Sequence, residues 1–281
     1  MLSITDHSRD RLGLKYIYPV FSRRAGGLSI GVNLNTNNAC NWRCIYCQVP
    51  GLIRGTAPDV DFDLLTHELK RVLAEILYGD FYTQYDIPES SRNIRDIAIA
   101  GNGEPTTCRE FDQVVEIIGN IAAESGLLHK IKTVLITNGS LMHRPAVNEG
   151  IEKLSQLNGE VWFKLDSATN AGLRLINNAG ILITRVGNNL KLCADLCPTW
   201  IQTCVFVLDG NPPSTEEQDA YIKFISELMK DETPLKGIQL YGIAREPHQQ
   251  EAPRLSRLPL DWLEKYAEKI RTTGIEVKVS D

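Results

Sequence analysis

Residues 28–48 read Leu28-Ser-Ile-Gly-Val-Asn-Leu-Asn-Thr-Asn-Asn-Ala-Cys40-Asn-Trp-Arg-Cys44-Ile-Tyr-Cys47-Gln48. The first half alternates apolar with small or polar residues, the period of two expected of a strand. It runs straight into a C-x3-C-x2-C loop that Asn41, Arg43 and Gln48 leave polar and irregular. Downstream, short apolar runs keep alternating with amphipathic stretches. Further strands are expected over residues 94–100, 131–136, 161–165, 201–208 and 238–243, with a short closing strand over 275–279. Helical spacing of apolar residues marks 63–78, 111–124, 145–157 and 259–272, and Ser214-Thr-Glu-Glu217 resembles a capping box opening a helix to residue 230. Residues 173–197 are less regular and read as one or two helices.

Strands alternating with helices imply parallel βαβ units. Six such units are too few for a closed (β/α)8 barrel, so the expected fold is α/β, an open partial (β/α)6 barrel of parallel strands. The expected organisation is one domain over residues 1–281. Residues 1–27 form an N-terminal extension, 28–245 the barrel core, and 246–281 a C-terminal helix and short strand. The polar motifs all follow strands: the cysteine loop, Gly101-Asn-Gly-Glu-Pro105, Thr137-Asn-Gly139, Asp166-Ser167 and Leu208-Asp-Gly210. Strand carboxyl ends share one rim, the rim where barrel folds keep their active sites.

The composition, 43% hydrophobic and 23% charged, suits a globular protein. No apolar run approaches the roughly 20 residues of a membrane span, and the first 30 residues lack a signal-peptide pattern. No membrane partner is expected, and the expected location is the cytoplasm, where cysteines stay reduced. The net charge of −5 is uneven. Residues 1–60 carry Arg9, Arg11, Lys15, Arg23, Arg24, Arg43 and Arg54 against Asp6, Asp10 and Asp59. This basic end can receive an anionic substrate or be a plain solvated surface. Overall acidity does not support tight nucleic-acid binding.

A zinc site normally takes four ligands, so three thiolates leave one to find. The same three suit a [4Fe–4S] cluster with one iron open to a small molecule. The cysteine spacing, the aromatic Tyr46 before its last member, and Gly101-Asn-Gly-Glu-Pro105 together resemble the radical S-adenosylmethionine (SAM) superfamily. Within it, the lead-in strand and the Gly-Asn-Gly-Glu-Pro-Thr run resemble iron–sulfur oxidoreductases related to the tRNA wyosine-base synthases. The likeness covers roughly residues 28–245. It implies that Cys40, Cys44 and Cys47 hold a [4Fe–4S] cluster whose open iron takes the amino and carboxylate groups of SAM. An electron from the cluster then yields a 5′-deoxyadenosyl radical, which abstracts hydrogen from an unidentified substrate.

By the same resemblance, Tyr46 packs near the adenine, and Gly101, Asn102, Gly103 and Glu104 meet the SAM ammonium. Asn138, Asp166 and Ser167 serve ribose hydroxyls or the methionine carboxylate; the plain alternative for these is to cap the next helix. The family form more often reads Gly-Gly-Glu-Pro, so Asn102 is a departure. Wyosine-type enzymes add a second cluster from N-terminal cysteines, and residues 1–39 hold none. The chain is therefore read as a single-cluster enzyme acting on a small-molecule or peptide-like substrate, with a reductant such as flavodoxin or ferredoxin. A glycyl-radical-enzyme activase, a tRNA-base-modifying enzyme and a non-catalytic metal-binding regulator are the alternatives.

Other candidates rest on placement alone. Lys164 shares a sheet face with Asp166 by strand alternation, and an inward lysine is a catalytic candidate. Arg245 can fork onto a carboxylate or phosphate, and His248 can donate a proton. Cys193 and Cys197 share a helix face, with Cys204 on the next strand. They suit a second cluster, or, as buried free cysteines usually do, core packing.

Overall fold

The computed structural model describes residues 12–22 and 26–280. Arg9, Arg11, Arg23 and Arg24 of the basic N-terminal stretch lie outside them. The fold is built on an eight-stranded sheet that curls into a half-barrel. Its spatial order is β1 (Ile17–Ser22), β2 (Gly27–Val32), β5 (Ile94–Ile99), β6 (Lys132–Thr137), β7 (Gly159–Lys164), β8 (Thr199–Cys204), β10 (Leu235–Tyr241) and β12 (Val277–Ser280). β1 is antiparallel to β2 and all the other pairings are parallel. Two short pairs sit at the rim: β3 (Ala39–Cys40) with β4 (Ile53–Arg54), and β9 (Val207–Leu208) with β11 (Leu255–Ser256).

The helices are α1 (Phe62–Tyr78), α2 (Phe81–Gln84), α3 (Phe111–Glu124), α4 (Pro145–Gln156), α5 (Asn170–Asn177), α6 (Ile183–Leu196), α7 (Thr215–Lys230) and α8 (Leu260–Arg271). None of the described helices is long and apolar enough to cross a membrane. The irregular stretch after β7 is two helices, α5 and α6. The capping box at α7 is half formed. Ser214 Oγ accepts from the Glu217 amide at 3.3 Å, while the Glu217 carboxylate accepts from Ser167 and Thr169 instead of returning to the cap.

Alternation along each strand separates two environments. Ile97, Ile99, Leu135, Val161, Phe163 and Ile201 face the helices and form the main core. Their neighbours Asp96, Ala98, Ile136, Trp162, Lys164, Gln202 and Cys204 line a cavity on the concave face. Both faces of the sheet are thus occupied, one by packing and the other by a site.

The expected N-terminal extension contains an edge strand, β1. The segment Tyr16-Ile-Tyr-Pro-Val-Phe21 is apolar enough to extend the sheet beside β2. Pro19 is tolerated there because an edge strand leaves one side unpaired. Glu68 of α1, only 4% exposed, latches this strand in place. Its carboxylate accepts from the main-chain N–H groups of Lys15 and Tyr16, each at 2.8 Å, and Ile17 at 3.3 Å. Tyr18 lies over Gly31, where a Cβ would come within 2.2 Å of the ring, and its hydroxyl donates to the Ala100 carbonyl at 2.9 Å.

Glu68→Ala leaves buried amides without an acceptor. It is expected to cost about 3 kcal/mol, from the penalty of unmet buried donors. Urea unfolding measures this, and an unchanged midpoint would contradict the latch.

Candidate active site

The cysteine loop leaves β2 and is pinched shut by β3 and β4. Ile53 N–H donates to the Asn38 carbonyl at 3.0 Å and Gly55 N–H to the Cys40 carbonyl at 3.1 Å. Asn38 takes a left-handed turn at φ 56°, a conformation asparagine tolerates. The loop is then fastened to the far side of the rim. Arg43 and Ile45 donate their amides to the carbonyls of Asn177 and Ile176 at the end of α5, at 3.1 and 2.8 Å. The Arg43 guanidinium forks onto Glu251 at 3.0 and 2.5 Å. His248 contributes through its backbone, its N–H donating to the Cys47 carbonyl at 2.8 Å.

Within this frame Cys40, Cys44 and Cys47 are half-buried thiols that line the same cavity. Burial pushes Cys40 and Cys44 up to about 12, aided by the nearby carboxylates of Glu104 and Asp166 respectively. Binding a metal there displaces protons. Two N–H groups already point at sulfur: the Trp42 amide at 3.4 Å from Cys40 Sγ and the Asn177 amide at 3.2 Å from Cys44 Sγ.

The glycine-rich loop after β5 packs beneath the cysteine loop by backbone contact. A Cβ on Gly101 would come within 2.1 Å of Asn33 Oδ1, and one on Gly103 within 2.0 Å of the Ala39 carbonyl. Asn102 donates its amide to Asn33 Oδ1 at 2.9 Å and its side chain to Asn38 Oδ1 at 2.6 Å. Glu104 is 3% exposed. Its Oε1 accepts from Thr106 and Thr137 hydroxyls, each at 2.6 Å, and its Oε2 from the Asn138 amide at 2.6 Å. Burial pushes its carboxyl up, and these hydrogen bonds oppose the shift. Glu104 therefore spends most of its acceptor capacity inside the chain, fixing the ends of β5 and β6 against each other.

On the opposite wall, Asp166 sits behind Tyr46. It accepts from the Tyr46 hydroxyl at 2.6 Å, the Asn177 amide at 2.7 Å and the Cys204 N–H at 3.0 Å. Tyr46 stands against Phe206 with ring centroids 5.6 Å apart. Lys164 points inward, donates to the Tyr241 hydroxyl at 3.1 Å, and lies 5.1 Å from the Tyr46 ring centroid. Burial disfavours its charge, but Asp166 and Tyr241 outweigh that and hold the ammonium above the usual lysine range. The barrel interior thus presents a cation beside an aromatic.

The structure brings Tyr46, Gly101, Asn102, Gly103, Glu104, Asn138, Lys164, Arg245 and the three cysteines to one cavity of about 1170 Å³. Asp166 reaches that cavity through Tyr46. Ser167 does not reach it: its hydroxyl donates to Glu217 at 2.8 Å, and Gly172 packs against it. Cys193 and Cys197 belong to the main core and Cys204 to a small cluster with Ile45 and Phe206.

Residues 34–225 match the radical SAM superfamily. The chain belongs to the radical SAM superfamily. Among curated proteins it is similar to a GTPase Obg from Brachyspira hyodysenteriae, 26% identical over 98% of this chain and 37% of that protein. It is also similar to a UPF0026 protein from Helicobacter pylori strain J99, 29% identical over 48% of this chain and 38% of that protein. The chain therefore spans well under half the length of these relatives. It contains no G-x-x-x-x-G-K-[ST] run of the kind that cradles nucleotide phosphates. Among solved structures its fold resembles TYW1 with a lysine-pyruvate adduct bound, at TM-score 0.57 and 18% identity, covering 87% of this chain and 73% of that one.

Radical SAM enzymes imply a [4Fe–4S] cluster and SAM, and the donor set fits. Three half-buried thiols on one pinned loop face one cavity, with N–H donors aimed at two sulfurs. Among the described residues no three His, Cys, Asp or Glu side chains are grouped to hold a metal ion. A cluster, in which each of the three thiolates takes a different iron and the fourth iron stays open, does not require so tight a group.

Sequence reasoning passed over Asn33, Asn177, Glu251 and Asn35, whose side-chain amide donates to the Ala39 carbonyl at 2.9 Å. Asn33 and Asn35 were visible just ahead of the cysteines, but a polar loop residue carries no sign of its partner, and Asn177 lies 133 positions from Cys44. Glu251 lies 208 positions from Arg43, and nothing local pairs them.

Gly103→Ala is expected to cost about 1–3 kcal/mol by overpacking against the Ala39 carbonyl. Gly180→Ala, with nothing within 4 Å of the added carbon, is expected to be silent. Equal thermal stability of the two variants would contradict the close approach.

Proposed function

We propose that this radical SAM enzyme holds its cluster on Cys40, Cys44 and Cys47, binds SAM along the rim from Tyr46 to Gly101–Glu104, and acts on an anionic small-molecule or peptide-like substrate inside the half-barrel. The observation that carries this is the single cavity shared by the three thiols, the glycine-rich loop, Tyr46 and Lys164. Its volume of about 1170 Å³ exceeds the roughly 300–1,000 Å³ of a typical one-ligand pocket. SAM and a substrate therefore fit side by side.

When bound, the cluster supplies the electron that opens SAM to the 5′-deoxyadenosyl radical. The chain's own residues do the rest. Gly101 and Gly103 bring backbone close to the ligand, and Asn138, anchored by Glu104 and Asn41, presents a polar edge. Asp166 orients Tyr46 and, through Asn177, the hydrogen bond to Cys44. Lys164 offers a positive charge to a carboxylate or phosphate, held in place by Tyr241. Arg245 lines the same wall. Reduced thiols and an oxygen-sensitive group suit the cytoplasm.

The test is product formation from SAM under reducing, oxygen-free conditions. The native protein is expected to release 5′-deoxyadenosine. Cys44→Ser is expected to lose its iron and reduce the yield by at least about a hundredfold, since removing even an outer-shell partner of a metal ligand costs up to that much. Undiminished 5′-deoxyadenosine from Cys44→Ser would overturn the ligand assignment.

A further inference from the structure

Below the rim, the concave face of the half-barrel is layered, and strand register sets the layers. Lys164 of β7 stands beside Gln202 of β8, and Gln202 beside Gln239 of β10. Neighbouring strands lie about 4.8 Å apart, so one ammonium and two amides form a single polar tier. Two residues earlier on β7 and β8, Trp162 pairs with Trp200, and with Val134 they make an aromatic floor. Gly237 of β10 leaves room for that floor: a Cβ there would come within 2.5 Å of Trp200 Cζ3.

Gln202 is the member of the tier that the fold does not explain. It is 1% exposed, and its side-chain amide donates to Gln239 Oε1 at 3.1 Å. Its own Oε1 accepts no hydrogen bond among the described residues. A buried amide carbonyl is normally paired, and this one belongs to the wall of the cavity. It calls for a donor on a ligand. Next to it, the Lys164 ammonium gives one hydrogen bond to the Tyr241 hydroxyl and has three N–H groups to give.

A charged amine on that ligand has no acid to meet at this level. Asp166 is spent on Tyr46, Asn177 and Cys204, and Glu104 on Thr106, Thr137 and Asn138. Asp96 sits deeper, level with Lys132, and accepts from the Ser29 hydroxyl.

We infer that the half-barrel selects a carboxylic acid whose adjoining carbon carries a neutral N–H or O–H and an apolar body. The carboxylate meets Lys164, the donor meets Gln202 Oε1, and the body lies on the Trp162–Trp200 floor. One carbon bearing both polar groups bridges two side chains a single strand spacing apart. Acylated amino acids, peptide C-termini and hydroxy acids share this chemistry. The inference rests on the reading that substrate occupies the cavity beside Lys164, and it narrows that reading.

The experiment is calorimetry on the reconstituted full chain with SAM present, beside the paramagnetic resonance spectrum of its reduced cluster with and without SAM. The probes are N-acetylphenylalanine and phenyllactate, against phenylpropionate (no donor), N-acetylphenylalanine amide (no carboxylate), N-acetylglycine (no body) and free phenylalanine. The native protein is expected to bind at least one of the first two about tenfold more tightly than any of the others, the worth of one buried hydrogen bond. The tighter of the pair tells an acylated amine from a hydroxy acid. Gln202→Leu is expected to erase the preference over phenylpropionate while leaving phenylpropionate itself unchanged. Lys164→Met is expected to weaken every carboxylate about tenfold or more and to leave the amide unaffected.

A native protein that binds neither acid, that does not prefer them to phenylpropionate, or that prefers free phenylalanine would overturn the tier assignment alone, provided SAM still alters the cluster spectrum. A spectrum indifferent to SAM would overturn the reading of the cavity as a shared site for SAM and substrate, and this inference with it.

Discussion

The rim is organised around one buried carboxylate. Glu104 follows the second strand of the parallel series, yet its oxygens take hydrogen bonds from Thr137 and Asn138 at the end of the third. A carboxylate so buried is tolerated only when hydrogen bonds replace the lost water. Meeting that condition locks two strand ends, the glycine-rich loop and the floor of the cysteine loop into one relation. Gly101 and Gly103 are glycines for the same reason. The loop that delivers Glu104 has to pass against Asn33 and the Ala39 carbonyl, with no room for a side chain.

A matching arrangement serves the other wall. Asp166 gathers Tyr46, Asn177 and the Cys204 amide, so the cysteine loop is gripped from both sides of the half-barrel. Between these two acids lie the three thiols. Further out, Glu251 holds Arg43 and Gln249 donates to the Val49 carbonyl at 3.2 Å. The chain after β10 thus folds back over the loop as a brace. The concave face then joins a positively charged, aromatic end at Lys164, Tyr46 and Tyr241 to an apolar floor at Val134, Trp162 and Trp200.

The parallel half-barrel was legible because alternation in its strands is strong and each strand runs into a motif with its own signature. Leu28 to Val32 leading into the cysteines, and Ile94 to Ile99 leading into Gly101, fixed the first two units. The edge strand β1 was missed because Pro19 interrupts its pattern and its latch, Glu68, is a helix residue some fifty positions away. Site residues divided the same way. The cysteines and glycines announce themselves by spacing. Alternation put Lys164 on the face it shares with Asp166 without telling whether that face points inward, while Ser167, one residue past Asp166, turned to the helix side. That alternation was available in the sequence, and it separates the two residues.

The most direct measurement is low-temperature electron paramagnetic resonance of the anaerobically reconstituted, reduced protein, with and without SAM. A reduced [4Fe–4S] signal whose line shape changes on adding SAM is the predicted result, because the three thiols that would hold the cluster line the same cavity as the glycine-rich loop. A cluster signal indifferent to SAM, or a colourless protein that binds zinc instead of iron, would contradict the account.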